Sequence, residues 1–150
     1  MRRWLKFARL PNADRNLLIG AALLLLAMRC GRALFGYVRL RRWLSGARRP
    51  HPDAAQESAG DTHKIARLIW ALNSAGAVML GNRPCLAVAM ATHWLLYRRG
   101  VGTDLRIGVK QDGTGRLEAH AWVERNGSVL IGESQGLDVY HRFPPVNFWN

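Results

Sequence analysis

A chain of 150 residues that is 49% hydrophobic is long enough to bury one sizeable core, which excludes an unstructured tail. Its two cysteines, Cys30 and Cys85, are too few for a disulfide scaffold and lack metal-ligand spacing, so a reducing, cytoplasmic setting with no structural metal is expected. The formal charge of +12 is uneven, with 12 Lys/Arg against Asp14 alone in residues 1–50 and 10 against nine acids in residues 51–150.

The basic first third attracts an anionic partner. Nucleic acid is disfavoured, because the basic residues flank Leu17-Leu18-Ile19 and Leu23 through Leu26 and form no recognised binding motif. Arg2, Arg3, Lys6 and Arg9 precede an uncharged stretch from Asn16 to Met28, which falls short of the ~20 residues that a span needs. It ends in Arg29-Cys30-Gly31-Arg32 rather than in a small-residue cleavage site. A core or interface helix is the expectation, and membrane association stays open as an alternative.

Pro11-Asn12-Ala13-Asp14 signals a helix start, and one or two helices are expected from there to about Leu44. Leu34, Tyr37, Val38, Arg41 and Arg42 follow a spacing that separates an apolar stripe from a basic one. Residues Ser45–Gly60 collect Gly46, Pro50, Pro52 and Gly60 and read as a linker. The expected division is a basic helical extension with linker over 1–60 and a catalytic core over 61–150. Asp61-Thr62 is expected to cap a helix carrying Ile65, Leu68, Ile69 and Leu72, which ends near Gly76 or Gly81.

Pro84-Cys85 then opens an apolar helical run that closes at Arg98-Arg99-Gly100. A thiol in the first turn lies beside free N–H groups and the positive end of the helix dipole, which favour the thiolate. A lone cysteine is more often an inert buried thiol, and Cys30 has only that reading; Cys85 needs a base. His93 lies eight residues along the same helix, ~12 Å away, and cannot reach it. His51 and His63 fall in the linker and at a helix start, and His141 stands near Pro144-Pro145. His120 is the remaining candidate.

Leu105, Ile107 and Val109 alternate with polar residues up to an Asp112-Gly113 turn, and a strand follows with Leu117, Ala119, Ala121 and Val123 on one face and Glu118, His120, Trp122 and Glu124 on the other. Asn126-Gly127 is the strongest hairpin signal in the chain. A two-residue loop there pairs Glu124 with Val129, Trp122 with Ile131 and His120 with Glu133. Glu133 is then the expected acid that orients the imidazole, with Glu124 as its rival. A cross-strand surface pair without catalytic meaning fits the same register.

The Gly-x-x-x-Cys-Leu run, Arg98-Arg99-Gly100, Ile107-Gly108-Val109 and Ala119-His120-Ala121-Trp122-Val123-Glu124 followed by a glycine turn resemble the transglutaminase-like leader peptidases of lasso-peptide biosynthesis. The motifs span roughly residues 84–133. The resemblance implies an α+β fold, with a papain/transglutaminase-like core in which the helix bearing the nucleophile packs on a small antiparallel sheet. It also implies a cysteine peptidase that removes the leader of a precursor peptide through a thioester, with no cofactor. The implied partners are the precursor's leader, a small leader-recognition protein and an ATP-dependent lasso cyclase.

Cys85 matches the nucleophile and His120 the base. Some members place an aspartate twelve residues after the histidine, where this chain has Gly132 followed by Glu133. The Cys85 backbone N–H, with the side chain of Asn82 or Asn73, is the expected oxyanion donor set, and Arg39, Arg41 and Arg42 are expected to dock the recognition protein or the leader. The competing expectations are a catalytically silent scaffold bridging precursor, recognition protein and cyclase, and an adaptor held on a membrane through residues 1–30.

Overall fold

Pro11 sets the first helix, α1 (Asn12–Ser45), by offering its carbonyl to the amides of Asp14 and Arg15 at 3.0 and 3.1 Å. The computed structural model describes residues 10–45, 59–79, 85–132 and 136–146, with the backbone alone over 32–45 and 59–61. Two further helices follow, α2 (Ala59–Met79) and α3 (Cys85–Arg98). Helix α1 is one unbroken element where one or two were expected. Helix α2 starts two residues before the expected Asp61-Thr62 cap and runs through Gly76 to Met79.

The end of α3 follows from a single residue. Gly100 takes the left-handed conformation at φ 77°, which lets its N–H reach the Tyr97 carbonyl at 2.9 Å and the Val101 N–H reach Leu96 at 3.0 Å. This is a Schellman closure, and it turns the chain toward the sheet as the Arg-Arg-Gly signal predicts.

The sheet has the order β3-β2-β1-β4 and is antiparallel throughout, with β1 Asp104–Gln111, β2 Leu117–Arg125, β3 Ser128–Ile131 and β4 His141–Arg142. The β1–β2 turn is tied by the Asp112 carboxylate, which accepts from the Thr114 N–H, the Thr114 hydroxyl and the Arg116 N–H at 2.9, 2.6 and 2.9 Å. Its left-handed residue is Gly115, at φ 83°, rather than Gly113. Beyond β4 the chain stays beside β1, where Phe143 and Val146 donate to the carbonyls of Ile107 and Leu105.

One apolar core crosses every layer. It takes Ala21, Leu25 and Met28 from α1, then Ile65, Leu68, Ala71, Leu72 and Ala75 from α2 at helical spacing. Helix α3 adds Val88 through Ala91 and Leu96, and the sheet adds Leu105, Ala121, Val123 and Ile131. Asp14, the lone acid of the basic third, pairs with Arg67 of α2, Arg67 Nε donating to Asp14 Oδ1 at 3.1 Å. The expected boundary at residue 60 falls in the first turn of α2, and α1 and α2 both contribute to one core.

The other face of the sheet holds a smaller aromatic layer. Trp122 is fully buried there. Gly108 of β1 makes room for it, since a Cβ at that position would stand 3.0 Å from the far edge of the indole and 3.0 Å from the Tyr140 Cβ.

Candidate active site

Cys85 is the first residue of α3, half-buried and reduced, where the sequence placed a thiol in the first helical turn. The helix layer to which it belongs packs on the face of β2 formed by Ala121 and Val123, the face predicted to turn inward. That cover stops at Ala121, and Ala119 and Leu117 are exposed. His120 stands on the opposite face, half-buried, in the strand and on the side that the alternation predicts. Among the described residues, no hydrogen bond joins the Cys85 thiol to the His120 imidazole.

The imidazole is held from three directions. Trp122 stacks with it at 6.1 Å between centroids and 19° between planes, and Tyr140 leans against it at 5.6 Å and 39°. Its Nε2 meets the Gly132 carbonyl oxygen at 2.7 Å. A carbonyl only accepts, so Nε2 carries the hydrogen and, in the neutral ring, Nδ1 keeps its lone pair.

The register that placed Glu133 opposite His120 is not the one found. Arg125 pairs with Ser128 and Glu124 with Val129 as expected, and Asn126 and Gly127 both take positive φ, at 49° and 78°, as a type I′ turn demands. The ladder then slips by one residue, so that Ile131 pairs with Val123 rather than with Trp122. Leu130 is the extra residue of a β-bulge. The physical reason lies in the core: the unbroken register would put Ile131 on the outer face, whereas the bulge turns it inward to 2% exposure. Glu133 itself lies outside the described residues.

Glu124, the rival acid, is committed elsewhere. Its carboxylate is buried and accepts from the Trp122 indole N–H at 2.7 Å, from Arg106 Nε at 3.1 Å and from Arg142 Nη1 at 3.2 Å. It ties β1, β2 and β4 together, and sequence reasoning missed that role. Of the other proposed residues, Asn73 is exposed on α2, and Asn82 lies outside the described residues. Arg39, Arg41 and Arg42 are in the last turns of α1, with side chains outside the described set. His63 and His141 are exposed, and His51 is outside the described residues.

His93 is buried within α3, and a hydrogen bond of 2.9 Å joins its Nδ1 to Thr103 Oγ1 at the entry to β1. Burial lowers its pKa from 6.5 to about 4, partly opposed by the charge of Asp104. The unfolded chain therefore takes up the proton at a higher pH than the folded one. Stability from this group is complete above pH 6.5 and is lost as the pH falls toward about 4, in total about 3 kcal/mol. Urea midpoints measured at about pH 7 and about pH 4.5 should differ less in His93→Gln than in the wild type; equal differences would show that His93 does not drive the acid loss.

A helix bearing an N-terminal cysteine, packed on a small antiparallel sheet that carries a held histidine, is the framework of a cysteine-based catalytic domain. The family comparison agrees: residues 22–145 match the transglutaminase-like superfamily, and the chain belongs to it. That superfamily includes cysteine peptidases. The match begins inside α1, so the core residues Leu25 and Met28 of that helix lie within the family domain. Neither curated proteins nor solved structures gave a significant match. No helix among the described residues is long and apolar enough to cross a membrane.

Proposed function

We propose that this chain is a cysteine peptidase that removes the leader from a lasso-peptide precursor in the cytoplasm, acting with a small leader-recognition protein and an ATP-dependent cyclase. The observation that supports the reading is a cysteine at the head of α3 in the same transglutaminase-like domain as a histidine whose Nε2 meets the Gly132 carbonyl; that the two act together is part of the proposal. The motifs around Cys85 and His120 supply the substrate class by resemblance.

In the proposed reaction, His120 Nδ1 accepts the thiol proton and the Cys85 sulfur attacks the carbonyl carbon of the leader's last residue. The oxyanion that forms is met by the Cys85 backbone N–H, which has no intrahelical acceptor at that position. Collapse expels the core peptide's amine, which takes the proton back from the imidazolium and leaves a thioester. Water, deprotonated by the same Nδ1, then releases the leader acid and restores the thiol. Asn82 and Asn73 are retained as candidate oxyanion partners, and no step of the reaction is assigned to Glu133. Arg39, Arg41 and Arg42 are assigned to docking, because they stand in a first third that carries 12 Lys/Arg against one acid.

Precursor incubated with the recognition protein should be cut by the wild-type chain, with a loss of about 1,000-fold or more in Cys85→Ala and in His120→Ala. Cutting by Cys85→Ala at the wild-type rate would sink the peptidase reading. Binding of the precursor with no cutting by the wild type would favour the scaffold instead.

A further inference from the structure

We propose that the backbone carbonyl of Gly132, rather than a side-chain carboxylate, is the group that orients His120. The inference rests on the reading of His120 as the base for Cys85. In nucleophile–base–acid sites the third member holds the ring nitrogen that faces away from the nucleophile, which fixes the tautomer and the direction of the free lone pair. Here the held nitrogen is Nε2, and what it meets, at 2.7 Å, is the carbonyl oxygen of Gly132.

Three features of the chain serve this contact. The bulge at Leu130 ends the β3 ladder at Ile131, so the next peptide is free to leave the strand. Gly132 then turns through φ 86°, a conformation that L side chains rarely adopt. A Cβ there would stand 2.8 Å from the Ala121 carbonyl oxygen and 2.8 Å from the Trp122 Cβ, so only glycine lets this peptide lie so close to β2. Trp122 and Tyr140 fix the plane of the ring, and the carbonyl fixes which nitrogen carries the hydrogen.

A carbonyl can do the orienting half of an acid's work. It is neutral, so it supplies a dipole rather than a full charge to the imidazolium formed when Cys85 gives up its proton. Gly132 is in this sense a positioning residue: it acts through His120 and touches neither the thiol nor the substrate.

The test reads the ring directly. Imidazole nitrogen chemical shifts of the full chain, with His120 assigned through a His120→Gln variant, should show the Nε2–H tautomer both in the wild type and in Glu133→Gln. An Nδ1–H tautomer in the wild type overturns the proposal, and so does loss of the Nε2–H form in Glu133→Gln, which would give the role to the carboxylate. The rate of Cys85 alkylation by iodoacetamide, followed against pH, should be unchanged within about twofold in Glu133→Gln and about 10- to 100-fold slower near neutral pH in Gly132→Ala. A folded Gly132→Ala that keeps the wild-type tautomer and pH profile also overturns the proposal; where that variant does not fold, the wild-type and Glu133→Gln tautomers decide. Failure of the peptidase reading is seen separately, as precursor cutting by Cys85→Ala, while the tautomer stays readable.

Discussion

A chain cut back to residues 61–150 is expected not to fold. The charge pattern marks the first 60 residues as an extension, but three of their side chains are core: Leu25 is 0% exposed and Ala21 and Met28 are 4% exposed, packed with α2 and α3. Removing them takes three buried members out of the core to which α2 and α3 both contribute. Even a single large-to-small change in such a layer costs about 2–5 kcal/mol, against a net stability on the order of 5–15 kcal/mol for a whole domain. The milder version of the experiment is Leu25→Ala in the full chain, which should lose about 3 kcal/mol and melt about 10 °C lower. Thermal melts by circular dichroism measure both. A truncated chain that melts cooperatively near the full-length temperature would establish residue 60 as a true domain boundary.

Glu124→Ala should be nearly as damaging, by about 3 kcal/mol, because it strands the buried indole N–H of Trp122 and removes the anion between Arg106 and Arg142. Glu124→Gln keeps an acceptor for the indole and should lose about half of that. The comparison separates two roles for the same residue. A structural tie predicts lower urea midpoints with Cys85 alkylation unchanged in the folded protein. A catalytic acid predicts wild-type stability and a thiol that no longer reacts. The geometry favours the first, since both carboxylate oxygens already have partners and His120 has its own in Gly132.

What could be read from the sequence was what is locally encoded. Gly100 closes α3 because a left-handed residue is needed there, and Asn126-Gly127 closes the hairpin because both its residues take positive φ. The alternation of β2 identified which face meets the helices. What could not be read was set by contacts distant in sequence. No feature of Ser128-Val129-Leu130-Ile131 announces a bulge; it is chosen because the core accepts Ile131 and the outer face is already filled by Trp122 and Tyr140. The same holds for Glu124, whose partners Arg106 and Arg142 come from strands 18 residues away on either side. The strand and face of His120 were legible from the alternation; its hydrogen-bond partner, a main-chain carbonyl, carries no side-chain signature.

The close approach of Trp122 to Gly108 has a consequence for how this chain can change over generations. The indole occupies the volume that any side chain at 108 would need, and Tyr140 closes the same space from the other side. These positions are therefore not free to drift one at a time. A larger residue at 108 requires the indole or Tyr140 to give way, and a smaller residue at 122 leaves His120 without the surface against which it stacks. Ancestry through such a site runs along a narrow path, on which the order of substitutions matters as much as their identity.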